Sequence, residues 1–216
     1  MDLWDAGKLE ETPDLRGVPC YGGLDLGSTS DFTAFVLAFP FDGGVFVKPY
    51  FWLPETPRRR DERMTAQLDA WARIGHIKRT PGNAVDYDQV LDDIVKLGQQ
   101  FSIKELAGDP WNAAQALQQL TSEGFSVIEF RQGFASMAGP TKHFMDLLAN
   151  RKFYHDGNPV LRWMAGNAAG ETDTHSNLKV SKKKSTEKVD GIVATIMGIG
   201  RLMLANDGGE LDIRII

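Results

Sequence analysis

The sequence predicts an α/β protein built on a mixed sheet, an antiparallel three-strand meander followed by parallel strands, with helices flanking it. Two observations carry this expectation. Short aromatic and aliphatic runs follow one another up to residue 53, separated by Gly, Ser, Asp and Pro, as in strands joined by tight turns. From residue 57 onward, short apolar runs alternate with stretches whose apolar residues recur every three or four positions, the pattern of parallel strands joined by helical crossovers.

Residues 1–18 are polar, contain Pro13 and lack periodicity, so they are expected to form a linker or surface arm with little structure of its own. The domain is expected over 19–206, with a tail over 207–216. Residues 21–40 hold two apolar runs joined by a short polar connection and read as a β-hairpin. Gly43-Gly44 makes the next turn, and 45–53 is the third strand. Pro49 inside that strand predicts an edge position or a bulge.

Met64, Leu68, Trp71 and Ile74 mark an amphipathic helix that Gly75 ends. An extended piece at 76–80 and the turn Pro81-Gly82-Asn83 lead to a helix over 86–101 with Val90, Ile94, Leu97 and Phe101 on its apolar side. A strand over 103–108 is followed by a helix over 111–123 carrying Ala114, Leu117 and Leu120. A strand over 125–131 precedes a helix over 136–150. Residues 153–168 have β character around the turn Asp156-Gly157-Asn158-Pro159, and 170–184 read as a loop or a two-stranded excursion. Ser185-Thr186-Glu187-Lys188 opens the last helix, whose Gly191, Ala194 and Gly198 form a stripe of small residues able to press close to the sheet. Trp52, Trp71, Trp111 and Trp163 lie within apolar patterns and are expected in the core.

Composition narrows the function. At 216 residues, 42% hydrophobic and 25% charged, the chain reads as one soluble domain without a membrane-spanning run or a signal peptide. The single cysteine, Cys20, excludes an internal disulfide and a thiolate metal cluster, which fits a reducing cytosol. Four scattered histidines offer no metal-site spacing, and they are expected in surface or packing roles. A net charge of −5 disfavours a protein that coats nucleic acid, yet two basic patches stand out: Lys179, Lys182, Lys183, Lys184 and Lys188, and Arg58-Arg59-Arg60 with Arg63.

Three carboxylates point to chemistry. Asp25 lies between Leu24 and Leu26 in a strand with the look of a doubly buried one, where an uncompensated charge costs several kcal/mol. Hydrogen bonds at a strand end are the simpler explanation for it. Asp109 ends a parallel strand, where open α/β sheets place ligands, but Asp-Pro is also the N-cap and first residue of a helix. Asp190 lies early in the last helix, where the helix dipole alone favours an acid, and Glu187 precedes it by three residues and so shares its face. Together the three positions match a ribonuclease H-like fold, which unites them in one site. An all-oxygen donor set suits magnesium or manganese, and two ions about 4 Å apart would activate water and stabilise the leaving oxygen of a phosphodiester.

A more specific resemblance rests on several motifs taken in order: Gly22-Gly-Leu-Asp-Leu-Gly-Ser-Thr-Ser-Asp-Phe-Thr-Ala34, Phe51-Trp-Leu-Pro54, Thr80-Pro-Gly-Asn83 with Asp86, Asp109-Pro-Trp-Asn112, Glu129-Phe-Arg-Gln-Gly133, Asn158-Pro-Val-Leu-Arg-Trp163 and Lys184-Ser-Thr-Glu-Lys-Val-Asp-Gly-Ile-Val-Ala194. From about residue 19 the chain resembles the nuclease half of the large terminase subunit of tailed bacteriophages. The resemblance implies a ribonuclease H-like, metal-dependent endonuclease cutting double-stranded concatemeric viral DNA during packaging, in the cytoplasm of the infected host. It also implies that Asp25, Asp109 and Asp190 bind the metal, with Asp31 and Glu187 as auxiliary candidates.

Family members carry an N-terminal packaging ATPase and work with a portal and a small terminase subunit. No Gly-x-x-x-x-Gly-Lys-Ser/Thr occurs here, so motor activity is not expected of this chain, which reads as an isolated and monomeric domain. On this view Lys179, Lys182, Lys183, Lys184 and Lys188 hold DNA phosphates beside Asp190. The alternatives are another ribonuclease H-like nuclease, such as a junction resolvase or ribonuclease H, and a non-catalytic docking module of the motor.

Overall fold

The expected hairpin forms from β1 (Pro19–Asp25) and β2 (Thr33–Phe41), and β3 (Gly44–Pro54) completes the meander. The β2–β3 turn has positive φ at both central residues, Asp42 (46°) and Gly43 (65°), the geometry that matches strand twist in a two-residue loop. The computed structural model describes residues 1–27, 32–56 and 62–207. Asp31, the Ser28-to-Asp31 connection, Arg58 to Arg60 and most of the expected tail lie outside the described residues.

The remaining elements are α1 (Asp2–Asp5), α2 (Glu62–Arg73), β4 (Lys78–Thr80), α3 (Tyr87–Gln100), β5 (Ser102–Gly108), α4 (Pro110–Ser122), β6 (Val127–Glu129), α5 (Phe134–Ala149), β7 (Phe153–His155), α6 (Pro159–Asn167), β8 (Gly170–Thr172), β9 (Leu178–Val180) and α7 (Asp190–Asp207). The sheet runs β4-β3-β2-β1-β5-β6, with β7 also on β3 and β8–β9 a separate hairpin. Only β2 runs against its neighbours, so the sheet is mixed as the sequence predicts.

Pro49 behaves as a local edge residue. Val45 donates its N–H outward to the Lys152 carbonyl (2.9 Å), so by two-residue alternation the missing N–H of Pro49 also faces outward. β7 pairs with Val45 to Val47 and β4 with Trp52 to Pro54, leaving Pro49 in the gap between them.

Side-chain size differs between the faces of the sheet. Phe35, Leu37 and Phe39 of β2 pack with Leu24, Ile94 and Leu117 towards α3 and α4. Ala34, Val36 and Ala38 face the other way, with Ile192, Ala194 and Ile196 of α7. The small face is where a helix comes closest. A Cβ added to Gly23 would lie 1.9 Å from the Ala194 carbonyl oxygen, and one added to Gly198 would lie 3.1 Å from the Tyr21 carbonyl oxygen. Ala194 and Gly198 of the small-residue stripe thus pack on β1, while Gly191 faces Phe51 of β3 and Leu161 and Met164 of α6.

Four local expectations are revised. Residues 159–167 are helical, not β: Asn158 Oδ1 accepts from the N–H groups of Val160 and Leu161, and Pro159 supplies a preset φ. Val160, Leu161 and Met164 then share a buried face. The last helix starts at Asp190, because 181–185 close a separate turn in which Ser185 N–H and Oγ both donate to the Ser181 carbonyl (3.0 and 2.7 Å). Glu187 therefore precedes the helix, is exposed and does not share the face of Asp190. Finally, Trp111 is 88% exposed, whereas Trp52 and Trp71 are core residues. The buried side of α4 runs through Ala113, Ala116, Leu117 and Leu120, and Trp111 belongs to the opposite face with Ala114.

The first 18 residues are tied to the domain. Trp4 is buried, with its ring centroid 5.1 Å from Phe153 and 4.9 Å from His155, and Leu15 is buried in the opposite layer. His155 Nδ1 accepts from the Gly157 N–H (3.0 Å), so Nε2 carries the proton and donates to the Trp4 carbonyl (2.9 Å). Burial holds its pKa below the ordinary histidine value, and the neutral ring acts as a packing element. Cys20 is likewise a buried packing residue whose thiol burial pushes up to about 12. No helix among the described residues is long and apolar enough to cross a membrane.

Candidate active site

Register brings two of the acids together. Leu24 of β1 pairs with Gly108 of β5, so Asp25 and Asp109 follow at the tips of adjacent parallel strands. The third comes from the packing just described. Gly23 and Asp25 point to one face of the sheet, and Asp190 stands one turn before Ala194 on α7. The contact of Gly23 with Ala194 therefore sets Asp190 over Asp25.

Both carboxylates are buried, Asp25 at 4% and Asp190 at 6% exposure. One ammonium joins them: Lys182 Nζ lies 2.6 Å from Asp25 Oδ2 and 3.3 Å from Asp190 Oδ1. The Lys182 side chain is 43% exposed, so it borders solvent while its charged end reaches the acids. Burial opposes that charge, but the two carboxylates outweigh it and raise the lysine pKa above its ordinary value.

The other Asp25 oxygen is held by a residue that strand and acid patterns do not single out. Gln132 Nε2 donates to Asp25 Oδ1 (2.9 Å), and Gln132 N–H donates to Asp109 Oδ2 (3.2 Å). Gln132 lies just past β6, the next parallel strand after β5, so the rule that ligand groups follow strand C-termini could have found it. Asp109 Oδ1 accepts from the Trp111 N–H (3.0 Å), so Asp109 caps α4. With both oxygens turned to backbone donors, it reaches Asp25 only through Gln132. Among the described residues, no three Asp, Glu, His or Cys side chains stand close enough to hold one metal ion together.

The predicted lysines divide by environment. Lys179 is committed within the fold: its Nζ donates to the Gln132 carbonyl (3.1 Å), pairs with Glu171 (3.2 Å) and lies 5.0 Å from the Phe134 ring centroid. It thereby pins the β8–β9 hairpin beside the site. Lys182 holds the acids, Lys183 and Lys184 are exposed, and Lys188 is half-buried with its carbonyl accepting from Asn167 Nδ2. Asp31 lies outside the described residues.

A mixed sheet of this order, with carboxylates at its strand tips and on the helix across it, defines a ribonuclease H-like domain of the nuclease type. The family described as the terminase large subunit endonuclease domain matches residues 1–206, and the chain belongs to that family. It is 36% identical over 198 residues to the terminase large subunit of Enterobacteria phage HK97, covering 89% of this chain but 39% of that protein. The crystal structure of the HK97 large terminase superposes with a TM-score of 0.80 at 34% identity, over 93% of this chain and 42% of that one. The large terminase nuclease from thermophilic phage G20c, crystallised with bound magnesium, shares the fold alone, with a TM-score of 0.59 at 9% identity over 93% and 95% of the two chains. The chain thus spans about two-fifths of the HK97 protein.

Proposed function

We propose that this domain is a divalent-metal-dependent endonuclease that cuts double-stranded concatemeric phage DNA during genome packaging. The observation that carries the reading is the pair of buried carboxylates, Asp25 and Asp190, bridged by the Lys182 ammonium. Two carboxylates buried next to one another, with oxygen donors only, fit a hard cation such as magnesium or manganese. The G20c relative, crystallised with magnesium, supports the same class of ion.

Asp25 and Asp190 would hold the metal with Asp109 as the third acid, Asp31 and Glu187 remaining auxiliary candidates. When bound, two such ions would supply an activated water and charge stabilisation for the leaving oxygen of the phosphodiester. The chain's own residues orient the acids. Gln132 fixes the rotamer of Asp25, and the α4 cap fixes that of Asp109. Lys183 and Lys184, with Lys188 beside them, would bind backbone phosphates on either side of the scissile bond. Trp111, exposed two residues beyond Asp109, offers an apolar face to the sugar or base edge of the same strand.

Within the motor, the partners would be double-stranded DNA, the packaging ATPase domain, the portal and the small terminase subunit, in the cytoplasm of the infected host. A plasmid cleavage assay tests the proposal. Supercoiled DNA should be nicked and linearised with manganese and left intact with excess chelator, and an RNA·DNA hybrid should compete poorly. Intact plasmid under every metal condition would favour a non-catalytic docking role. Preferential cutting of the hybrid would favour a ribonuclease H.

A further inference from the structure

We propose that Lys182 is a built-in counter-ion that the metal must displace, and that DNA phosphate assists this displacement, so that metal entry and DNA binding are coupled. The inference rests on the nuclease reading above and concerns the control of that same site.

Lys182 Nζ already occupies the position from which one cation touches both Asp25 and Asp190. An ammonium and a divalent ion cannot share that pair of oxygens, because like charges at contact distance repel strongly even at an effective dielectric of about 20. The free oxygen positions elsewhere on Asp25 are restricted by Gln132, which takes Oδ1. A metal bridging the two acids therefore requires the lysine to leave. No change of protonation is involved, only the exchange of one cation for another.

The chain is built to allow that movement and no larger one. The backbone beneath Lys182 is anchored: Ser181 is buried, its N–H donates to the Ala169 carbonyl (2.8 Å), and its hydroxyl accepts from the Lys184 N–H (3.3 Å). The Lys182 side chain is 43% exposed and so borders solvent, and the next two residues, Lys183 and Lys184, are exposed. A phosphate bound there offers the departing ammonium a new anion. Lys179 cannot take its place, being held by Gln132, Glu171 and Phe134. Without DNA, Lys182 lowers the affinity of the site for metal and restrains untimely cutting. With DNA, the two ligands assist each other by equal factors.

Manganese binding to the full chain, measured by calorimetry with and without a phosphorothioate duplex that resists cleavage, tests the coupling. Wild type should bind manganese about tenfold more tightly with the duplex, within the usual range of coupling between sites. Lys182→Met should bind manganese about tenfold more tightly than wild type without DNA and gain little from the duplex, whereas Lys182→Arg should stay close to wild type. Thermal melting gives a second reading: manganese should raise the Tm of Lys182→Met more than that of wild type. Equal manganese affinity and equal Tm gain in Lys182→Met and a cleaving wild type would overturn this inference alone. A wild type that neither binds manganese nor cuts DNA would overturn the nuclease reading and this inference together.

Discussion

Asp25→Asn is expected to reduce DNA cleavage by about 10³-fold or more, the scale of losing a charged group at a reacting centre, while the metal-free domain keeps its fold and its Tm. Asparagine has nearly the same shape, and its Oδ1 can still accept from Gln132 Nε2. Lys182 keeps Asp190 as a partner. The substitution relieves the repulsion between two buried carboxylates but sets an amide NH2 in place of Oδ2 against the Lys182 ammonium; the two effects oppose each other, so stability without metal should change little. Loss of both activity and stability would mean that Asp25 serves the fold first.

The same exchange separates the two duties of Asp109. Asparagine is as good an N-cap as aspartate, so Asp109→Asn preserves the bond to Trp111 N–H and the start of α4, while its Nδ2 can no longer accept from the Gln132 N–H. If Asp109 only capped the helix, cleavage would be unchanged. Its loss in a variant of unchanged Tm is the expected result and assigns the second carboxylate oxygen, which carries the charge and holds the Gln132 N–H, to the working site.

Gly23→Ala is expected to lower stability by about 1–3 kcal/mol, the cost of overpacking a tight contact, and to impair cleavage beyond what unfolding accounts for. The added methyl would meet the Ala194 carbonyl oxygen at 1.9 Å and the Gly198 nitrogen at 2.8 Å, both backbone atoms of a buried helix. No side chain can swing aside, so α7 must move away from β1, and Asp190 moves with it, away from Asp25. Gly22→Ala is the natural comparison. Its Cβ would meet the Phe35 ring on the other face, at 2.7 Å, and Asp190 does not depend on that contact. Thermal melting and plasmid cleavage of both variants check this. Equal activity per folded molecule for Gly23→Ala and wild type would show that α7 need not be held at this distance.

The parts of this arrangement that repeat along the chain were legible in its sequence, and the parts that depend on one contact were not. Alternating strand and helix patterns gave the mixed sheet, and the small stripe Gly191, Ala194 and Gly198 marked the helix that packs against it. Asp25 was conspicuous because a charge inside an apolar strand demands compensation. What compensates it was hidden. Gln132 is one polar residue in a loop, and Lys182 is one of several lysines in a run that reads as a patch for DNA phosphates. Their meeting with Asp25 depends on long-range packing, to which no local period points.

Two misreadings share a cause of another kind. Asn158-Pro159 reads as a turn between strands, although a short polar residue followed by Pro is the same capping pair that Asp109-Pro110 forms. The apolar stripe of α4 reads through Ala114 in the sequence but runs through Ala113 in the fold, which leaves Trp111 in solvent rather than in the core. The first mistakes a helix for a strand and the second shifts the stripe of a correctly recognised helix by one residue; in both, a local pattern fits two readings.

Anomalous diffraction from a manganese-soaked crystal tests the central claim most directly. The expected map has manganese bound by Asp25 and Asp190, with Asp109 completing the site and Lys182 withdrawn from both acids. Manganese absent from these carboxylates at saturating concentration, with the Lys182 bridge intact, would contradict it.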